Sequence, residues 1–268
     1  MREIERIRQL LDSHGIRPNR ALGQNFLTDE DTLERIADLA RVDGCAVLEI
    51  GPGLGSLTER LLRRATRVEA VEKDAVLADI LRERFPGTQP GITAADILRT
   101  DPGRLLPRPW HAVGNLPYYI TTDIAERMLC FSPESATFLV QKEAAERFFA
   151  GPGDRVYGPL SVLTACVSRP ERGFDVPACM FYPQPEVEST VIRLAPAGDV
   201  PGTDDPAGFL RFLKQCFRMR RKTLANNLKG TAGAAEAMEA AGVDGGIRAE
   251  ALPPESLLAL YLEARKIR

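Results

Sequence analysis

The sequence has almost no histidine, since His14 and His111 are the only two in 268 residues. A zinc site usually needs several histidine or cysteine ligands, and a nucleophile is often activated by an imidazole base. The five cysteines are scattered along the chain, and no two of them form a CxxC pair. We therefore expect reduced core cysteines and neither a disulfide nor a metal site.

Long uncharged apolar runs are also missing, and none approaches the roughly 20 residues that a transmembrane helix needs. The opening residues, MREIERIRQLLDSHG, place apolar side chains at helical spacing with charges between them. A signal peptide would instead have a continuous apolar core. We expect a cytoplasmic protein in which residues 1–20 form a basic amphipathic N-terminal arm.

Acidic residues are absent from one stretch of the chain, although acidic and basic residues are nearly equal in number overall. The formal net charge of −2 argues weakly against nucleic-acid binding. Between Pro206 and Ala235, however, there is no Asp or Glu, and the basic residues are Arg211, Lys214, Arg218, Arg220, Arg221, Lys222 and Lys229. A basic run is often only a solvated helix face, so this run alone leaves nucleic-acid contact open.

Short apolar runs alternate with helical patterns over the first 150 residues. The strand-like runs are AVLEI, RVEAVEKD, GITAADIL, HAVGNLPY and SATFLVQK, and the intervening helical stretches include SLTERLLRRA and AVLADILRERF. This β-α-β order predicts an α/β fold, in which a parallel sheet has helices on both faces. Beyond Pro159, the runs GFDV and STVIRL suggest an antiparallel edge.

The last third of the chain has a different pattern. Residues Ala195–Gly208 are rich in Pro, Gly and Asp, which is typical of a linker. Only helical patterns follow, in FLRFLKQCF, RKTLANNLKG and PESLLALYLEARK. We predict two domains: an α/β domain over residues 1–198 and a small all-α domain over residues 199–268.

The segment Gly51-Pro-Gly53-Leu-Gly55 lies between the first strand and its helix. Glycines here let the backbone approach a ligand, although a tight turn explains them equally well. Glu72 ends the second strand 21 residues after Gly51, where a carboxylate can hold ribose hydroxyls; an exposed helix-start carboxylate is the alternative. The two features together predict a nucleoside-containing cofactor. The G-x-G-x-G spacing differs from the G-x-G-x-x-G of nicotinamide enzymes.

Two further strands end in polar residues. Asp96 ends the third strand and could accept a hydrogen bond from an adenine amine, although a turn carboxylate is the simpler interpretation. Asn115-Leu-Pro-Tyr118 ends the fourth strand, and strand ends in such sheets meet at the ligand crevice. The Asn115 side-chain oxygen and the Leu116 carbonyl could accept both hydrogens of an adenine amine, turning its lone pair toward an electrophile. Tyr118 offers a ring for base stacking, which is typically worth about 1–3 kcal/mol per base.

The motif NLPY resembles the N-[IL]-P-[YF] motif of adenine-N(6) methyltransferases that act on RNA. Six blocks, in the same order, are similar to those of the 16S ribosomal RNA adenine dimethyltransferases (KsgA/RsmA): LGQNFL, LEIGPGLGSLT, QKEAAERF, YGPLSVL, FYPQPEVESTVIRL and FRMRRKTLANNLKG. The resemblance covers nearly the whole chain. It implies a Rossmann-like class I methyltransferase domain, a small C-terminal all-α domain and S-adenosylmethionine as cofactor.

The same resemblance implies three groups of site residues. Those for the cofactor are Asn25, Leu27, Gly51, Gly53, Glu72, Asp96 and Asn115. Those for the target base are Asn115, Tyr118 and Phe181, with the two aromatic rings on opposite faces of the base. Those for RNA are Arg218, Arg220, Arg221 and Lys222. Three departures from the family pattern, Ala95, Gln184 and Glu188, concern fine geometry only.

The implied reaction transfers methyl groups to the exocyclic amines of two adjacent adenosines near the 3′ end of 16S ribosomal RNA, two per base. The implied partner is this RNA within the small ribosomal subunit or its precursor, and the implied process is small-subunit biogenesis. A 23S ribosomal RNA adenine methyltransferase of the antibiotic-resistance type shares the cofactor blocks and is one alternative. A ribosome-assembly factor whose catalysis is secondary is another. We expect a monomer.

Overall fold

The computed structural model describes residues 2–87, 89–198 and 204–267. The strands are β1 (Phe26–Leu27), β2 (Ala46–Ile50), β3 (Arg67–Glu72), β4 (Gly91–Ala94), β5 (His111–Asn115), β6 (Ser135–Gln141), β7 (Ser168–Val176), β8 (Phe181–Tyr182) and β9 (Ser189–Pro196). The helices are α1 (Glu3–Ser13), α2 (Glu30–Ala40), α3 (Ser56–Leu62), α4 (Ala75–Arg84), α5 (Thr121–Phe131), α6 (Lys142–Phe149), α7 (Pro159–Val167), α8 (Pro206–Cys216), α9 (Leu224–Asn227), α10 (Ala234–Ala240) and α11 (Pro254–Lys266).

Seven strands form one sheet in the order β4-β3-β2-β5-β6-β9-β7. The pairs from β4 to β6 are parallel, and β9 is antiparallel to β6. The predicted α/β fold with an antiparallel edge is therefore confirmed. The chain runs outward through β2, β3 and β4 and then returns to β5 on the other side of β2. Ligands of such sheets bind where the strand order reverses, which here lies between β2 and β5.

The central strands have apolar side chains on both faces because helices cover them. Val47, Val68 and Val113, from β2, β3 and β5, are fully buried with Leu33 and Ile36 of α2 in one core cluster. A parallel strand that is buried on both faces reads as a nearly continuous apolar run. This burial explains why the strands could be located in the sequence.

The N-terminal segment, predicted as an arm, is instead a helix packed within the α/β unit. Ile7 and Leu11 of α1 are buried with Leu54 and Leu77. The apolar stripe of the predicted amphipathic pattern is therefore covered by protein. Glu3 is buried as well and accepts a 2.5 Å hydrogen bond from the Ser56 hydroxyl at the start of α3.

Internal contacts divide the chain into two compact units. Unit 1 contains residues 1–124, 133–145 and 171–195, and unit 2 contains residues 125–132, 146–170 and 196–268. The second unit thus includes two segments that precede the predicted boundary at residues 198 and 199. Because residue 199 lies outside the described residues, the exact boundary stays a prediction.

The predicted linker, Ala195–Gly208, is shorter than expected at its C-terminal end. Helix α8 begins at Pro206, and the Asp205 carboxylate accepts a 2.8 Å hydrogen bond from the Gly208 amide. Aspartate at the N-cap with proline in the first turn is a strong helix start. The linker prediction for residues 199–203 falls outside the described residues. In the described part of the chain, no helix is long and apolar enough to span a membrane.

Candidate active site

One cavity of unit 1 lies beside the ends of β2, β3 and β5. It is lined by every residue of the predicted cofactor group, namely Asn25, Leu27, Gly51, Gly53, Glu72, Asp96 and Asn115. Tyr118 lines it too. Residues from five separate stretches of sequence therefore meet at the point where the sheet order reverses.

The glycine loop forms one wall of the cavity with left-handed backbone. Gly51 and Gly53 have φ values of 65° and 58°, which favour glycine strongly. A Cβ atom at Gly53 would lie 3.1 Å from the Phe26 ring, and one at Gly51 would lie 3.8 Å from the Asn115 carbonyl oxygen. A side chain at Gly53 would therefore crowd Phe26, whereas at Gly51 the contact would be ordinary and only the positive φ favours glycine.

Glu72 joins the end of β3 to the glycine loop. One carboxylate oxygen accepts a 3.0 Å hydrogen bond from the Gly53 amide, and the other accepts a 2.9 Å hydrogen bond from the Asp74 amide. Burial raises the pKa of Glu72, and these backbone hydrogen bonds offset part of that rise. Each oxygen has a second lone pair, so the carboxylate can still accept hydrogen bonds from ribose hydroxyls.

Asp96 is held at the cavity edge by two donors. The Leu98 amide donates to one of its oxygens at 2.9 Å, and the Lys73 ammonium lies 3.1 Å from the other. Burial acts to raise the pKa of Asp96, but these two partners outweigh it, and the pKa lies below its usual range. Asp96 is thus a fixed anion beside the cavity, as an acceptor for an adenine amine would need to be. Sequence reasoning gave Lys73 no role in this arrangement.

The side-chain amide of Asn115 is oriented by the N-terminal part of the chain. Its nitrogen donates a 3.0 Å hydrogen bond to the Asn25 carbonyl oxygen. This leaves the amide oxygen as the group available to a ligand. The next residue, Leu116, donates its backbone N–H to the Leu139 carbonyl at 3.0 Å, which fixes that peptide against β6.

Tyr118 is anchored through its hydroxyl. The distance from its oxygen to the Ser189 hydroxyl oxygen is 2.7 Å, and Ser189 is fully buried. Burial raises the pKa of Tyr118, so the phenol is neutral at physiological pH. Because the hydroxyl is held at one end, the half-buried ring has a defined position in the cavity wall.

Phe181 is not among the residues that line the cavity. It is 4% exposed and lies in β8, opposite Leu27 of β1, within the core cluster that also contains Val176. The structure thus brings Asn115 and Tyr118 together but leaves the Phe181 ring in the core, because the β1–β8 pairing buries it. A role for Phe181 against the target base stays a prediction.

The residues of the predicted RNA group lie in unit 2, and they differ in whether an acidic residue pairs with them. Arg218, Arg221 and Lys222 are exposed, and no carboxylate pairs with them among the described residues. Arg220 instead forms a 3.0 Å ion pair with Glu250 and donates to the Arg155 carbonyl at 2.8 Å. Its side chain is nonetheless about half exposed, at 49%, so RNA contact by Arg220 stays a prediction, as it does for the other three residues.

Glu49 is a cavity residue that the sequence reasoning missed. It lies in β2, is 1% exposed and lines the cavity, and its Oε2 atom has no hydrogen-bond partner within the described residues. Burial raises its pKa to about 8. The signal was present, since a carboxylate in the otherwise apolar strand AVLEI is unusual unless it is paired or functional.

Comparisons with known proteins agree on one family. A family model described as ribosomal RNA adenine dimethylase matches residues 15–266. A ribosomal RNA small subunit methyltransferase A from Acidobacterium capsulatum is 43% identical, over 90% of this chain and 89% of that protein.

Two solved structures are also similar. The 23S rRNA methyltransferase ErmE is 31% identical with a TM-score of 0.64, covering 90% of this chain and all of that one. A dimethyladenosine transferase from Plasmodium falciparum has a TM-score of 0.71 at 24% identity, over 90% of this chain and 98% of that one, and supports the fold alone.

Proposed function

The chain belongs to the ribosomal RNA adenine dimethylase family, and on that premise we propose that it dimethylates two adjacent adenosines near the 3′ end of 16S ribosomal RNA. The methyl donor is S-adenosylmethionine, and the RNA is bound in the small ribosomal subunit or its precursor. The 43% identity with a small subunit methyltransferase over nearly the full length of both chains supports the choice of this RNA.

The observation that carries the proposal is the orientation of the Asn115 amide. Its nitrogen is occupied by the Asn25 carbonyl at 3.0 Å, so its oxygen is the atom left to accept a hydrogen bond from an adenine amine. An exocyclic adenine amine is a poor nucleophile because its lone pair is delocalised into the ring. Acceptance of both amine hydrogens, by Asn115 and by the Leu116 carbonyl, would direct that lone pair toward the methyl donor.

The other cavity residues would bind the cofactor and the target base and hold them in position. When bound, S-adenosylmethionine supplies a methyl group activated by its positive sulfur. Glu72 would hold the ribose, Asp96 the adenine amine of the cofactor, and the glycine loop its methionine part, while Tyr118 would stack on the target base. Stacking offsets the few kcal/mol that are needed to pull a base from its stack. Holding the reacting groups in line can lower a barrier by as much as about 7–11 kcal/mol.

Methylation of isolated subunits with labelled S-adenosylmethionine tests the proposal. Small and large subunits from cells that lack this gene are incubated separately with the wild-type protein and with an Asn115→Ala variant. We expect label only in small-subunit RNA and only with the wild type, and dimethyladenosine at two neighbouring positions near the 3′ end by mass mapping. Label in large subunits alone would contradict the proposed substrate.

A 23S ribosomal RNA methyltransferase is the second candidate, because ErmE is 31% identical over 90% of this chain. The higher identity with small subunit methyltransferases and the basic block FRMRRKTLANNL favour the first candidate. A role mainly in ribosome assembly is disfavoured, because Asn115 and Tyr118 line one cavity together with the residues expected to bind the cofactor. Rescue of a growth defect by the Asn115→Ala variant as fully as by the wild type would favour assembly instead.

A further inference from the structure

Tyr119 is a large aromatic residue of the cavity that the proposed mechanism does not use. It lines the cavity in the turn after β5 and is 53% exposed, whereas the preceding Tyr118 is half-buried. Within the described residues, no hydrogen bond anchors its hydroxyl, while the Tyr118 hydroxyl is held by Ser189. An exposed ring in the wall of a ligand cavity offers a stacking surface that a planar ligand can cover.

The two successive tyrosines point to opposite sides of the end of β5. Tyr118 reaches Ser189 at the start of β9, which is two strands from β5 in the direction of β6. The Tyr119 hydroxyl instead interacts electrostatically with the ammonium of Lys73. Lys73 directly follows β3, which is two strands from β5 in the opposite direction, beyond β2. The two rings therefore belong to different parts of the cavity.

Lys73 connects Tyr119 with the carboxylate that is expected to bind adenine. The Lys73 ammonium lies 3.1 Å from the Asp96 carboxylate. Asp96 raises the pKa of Lys73 most, through a hydrogen bond and its negative charge, and Tyr119 adds a smaller effect in the same direction. Tyr119 and Asp96 thus flank the same ammonium group, so the ring lies at the nucleoside end of the proposed cofactor site.

The N-terminal segment supports the Tyr119 ring from another side. A Cβ atom at Gly23 would lie 3.4 Å from the Cδ1 atom of this ring and 3.6 Å from the Cβ atom of Pro117. The next residue, Gln24, donates a 2.9 Å hydrogen bond to the Asp74 carboxylate, which ties the segment to the turn after β3. The ring therefore has packed neighbours beside the cavity, although its hydroxyl forms no hydrogen bond among the described residues.

We propose that Tyr119 is a cofactor-binding residue that stacks on the adenine of S-adenosylmethionine. The inference rests on the proposed function, which assigns Asp96 to the adenine amine. A hydrogen bond from the amine to Asp96 would fix the edge of the base, and the Tyr119 ring would cover one of its faces. The two contacts do not compete, because one lies in the plane of the base and the other lies above it. No covalent bond changes and no proton moves.

Calorimetry without RNA tests the proposal. The full chain is titrated with S-adenosylhomocysteine, the demethylated product, and with methylthioadenosine, which has the same nucleoside and sulfur but lacks the amino-acid part. We expect Tyr119→Ala to raise the Kd of both ligands by the same factor, about tenfold, which is toward the lower end for loss of one aromatic stack. Tyr119→Phe keeps the ring and should bind both ligands as tightly as the wild type.

A matched control is Val76→Ala. Val76 is 50% exposed in α4, three residues after Lys73, but it does not line the cavity, so its variant should bind both ligands as the wild type does. Circular dichroism checks that each variant is folded. If Tyr119→Ala fails to fold, Tyr119→Leu, which keeps apolar bulk without an aromatic ring, should raise both Kd values instead.

Three outcomes would overturn the proposal. Unchanged Kd values in folded Tyr119→Ala would refute it, and a raised KM for small subunits in methyl transfer would then assign the ring to RNA. A raised Kd for S-adenosylhomocysteine but not for methylthioadenosine would assign the ring to the methionine part. Equal losses in Tyr119→Ala and Tyr119→Phe would assign the effect to the hydroxyl. No binding of either ligand by the folded wild type would instead refute the cofactor of the proposed function.

Discussion

Replacing Asn115 tests the proposed role of its side-chain amide. Asn115→Ala removes the nitrogen that donates to the Asn25 carbonyl at 3.0 Å and also the oxygen proposed to accept from the target amine. Asn115→Asp keeps acceptor oxygens but places one of them where the donor nitrogen was. Two oxygen atoms at that distance, with no proton between them, repel each other, so the aspartate should lose the orientation of the native amide.

The expected stability cost is small and the expected catalytic cost is large. One neutral hydrogen bond contributes about 0.5–1.5 kcal/mol to stability, so Asn115→Ala should lower the free energy of unfolding by about 1 kcal/mol. For a chain of this size, that corresponds to a decrease of about 2–4 °C in Tm. Loss of one group that acts on the transition state typically costs about 10²–10³ in kcat. Loss of the whole clamp should make transfer undetectable in a standard assay.

The assay is single-turnover methyl transfer from labelled S-adenosylmethionine to small-subunit RNA, with cofactor affinity measured by calorimetry and Tm by circular dichroism. We expect Asn115→Ala and Asn115→Asp to bind the cofactor measurably and to transfer little or no methyl. Near-normal transfer by Asn115→Ala would refute the clamp. A variant that neither binds nor unfolds cooperatively would show a structural role for Asn115 instead.

Four further substitutions have defined outcomes. Because the pKa of Glu49 is raised, the folding stability associated with its protonated form is lost as pH rises through about 8. In urea titrations, Glu49→Gln should therefore gain about 4 kcal/mol relative to wild type between pH 5 and 9. Gly114→Ala would place a Cβ 2.6 Å from the Ile50 carbonyl oxygen, and it should lower unfolding free energy by about 1–3 kcal/mol. Tyr118→Phe and Ser189→Ala should each destabilise by about 1 kcal/mol, and a double-mutant cycle should show coupling across their 2.7 Å contact.

The parts of the fold that could be predicted are those that local patterns encode. Strands β2, β3, β5 and β6 read as apolar runs because they are buried, and the intervening helices imply parallel pairing. The sequence patterns could not predict which segments of the chain belong to unit 2. Residues 146–170 look like one more helical connection of the α/β pattern, and only contacts with residues far along the chain assign them to the helical unit.

The site shows the same division between local and long-range information. Glu72 and Asn115 could be selected because they end strands, and Asp96 because it closely follows one; the ends of parallel strands meet at one edge of a sheet. The hydrogen bond that orients Asn115 joins residues 90 positions apart, and no local pattern contains it. The burial of Phe181 likewise depends on the pairing of two two-residue strands. Glu49 is the exception, because a carboxylate within an otherwise apolar strand can be recognised from the sequence alone.

A contact within unit 2 bears on how the position of the predicted RNA group can change during evolution. The carbonyl group of Arg155 holds the guanidinium of Arg220, which stands 65 residues later beside the exposed cations Arg218, Arg221 and Lys222. An insertion or deletion within residues 151–158 would move the Arg155 carbonyl group, which binds Arg220. Mutations far upstream of the predicted RNA group can therefore move Arg220, and chimaeras that exchange only the C-terminal third would replace Arg220 but not Arg155.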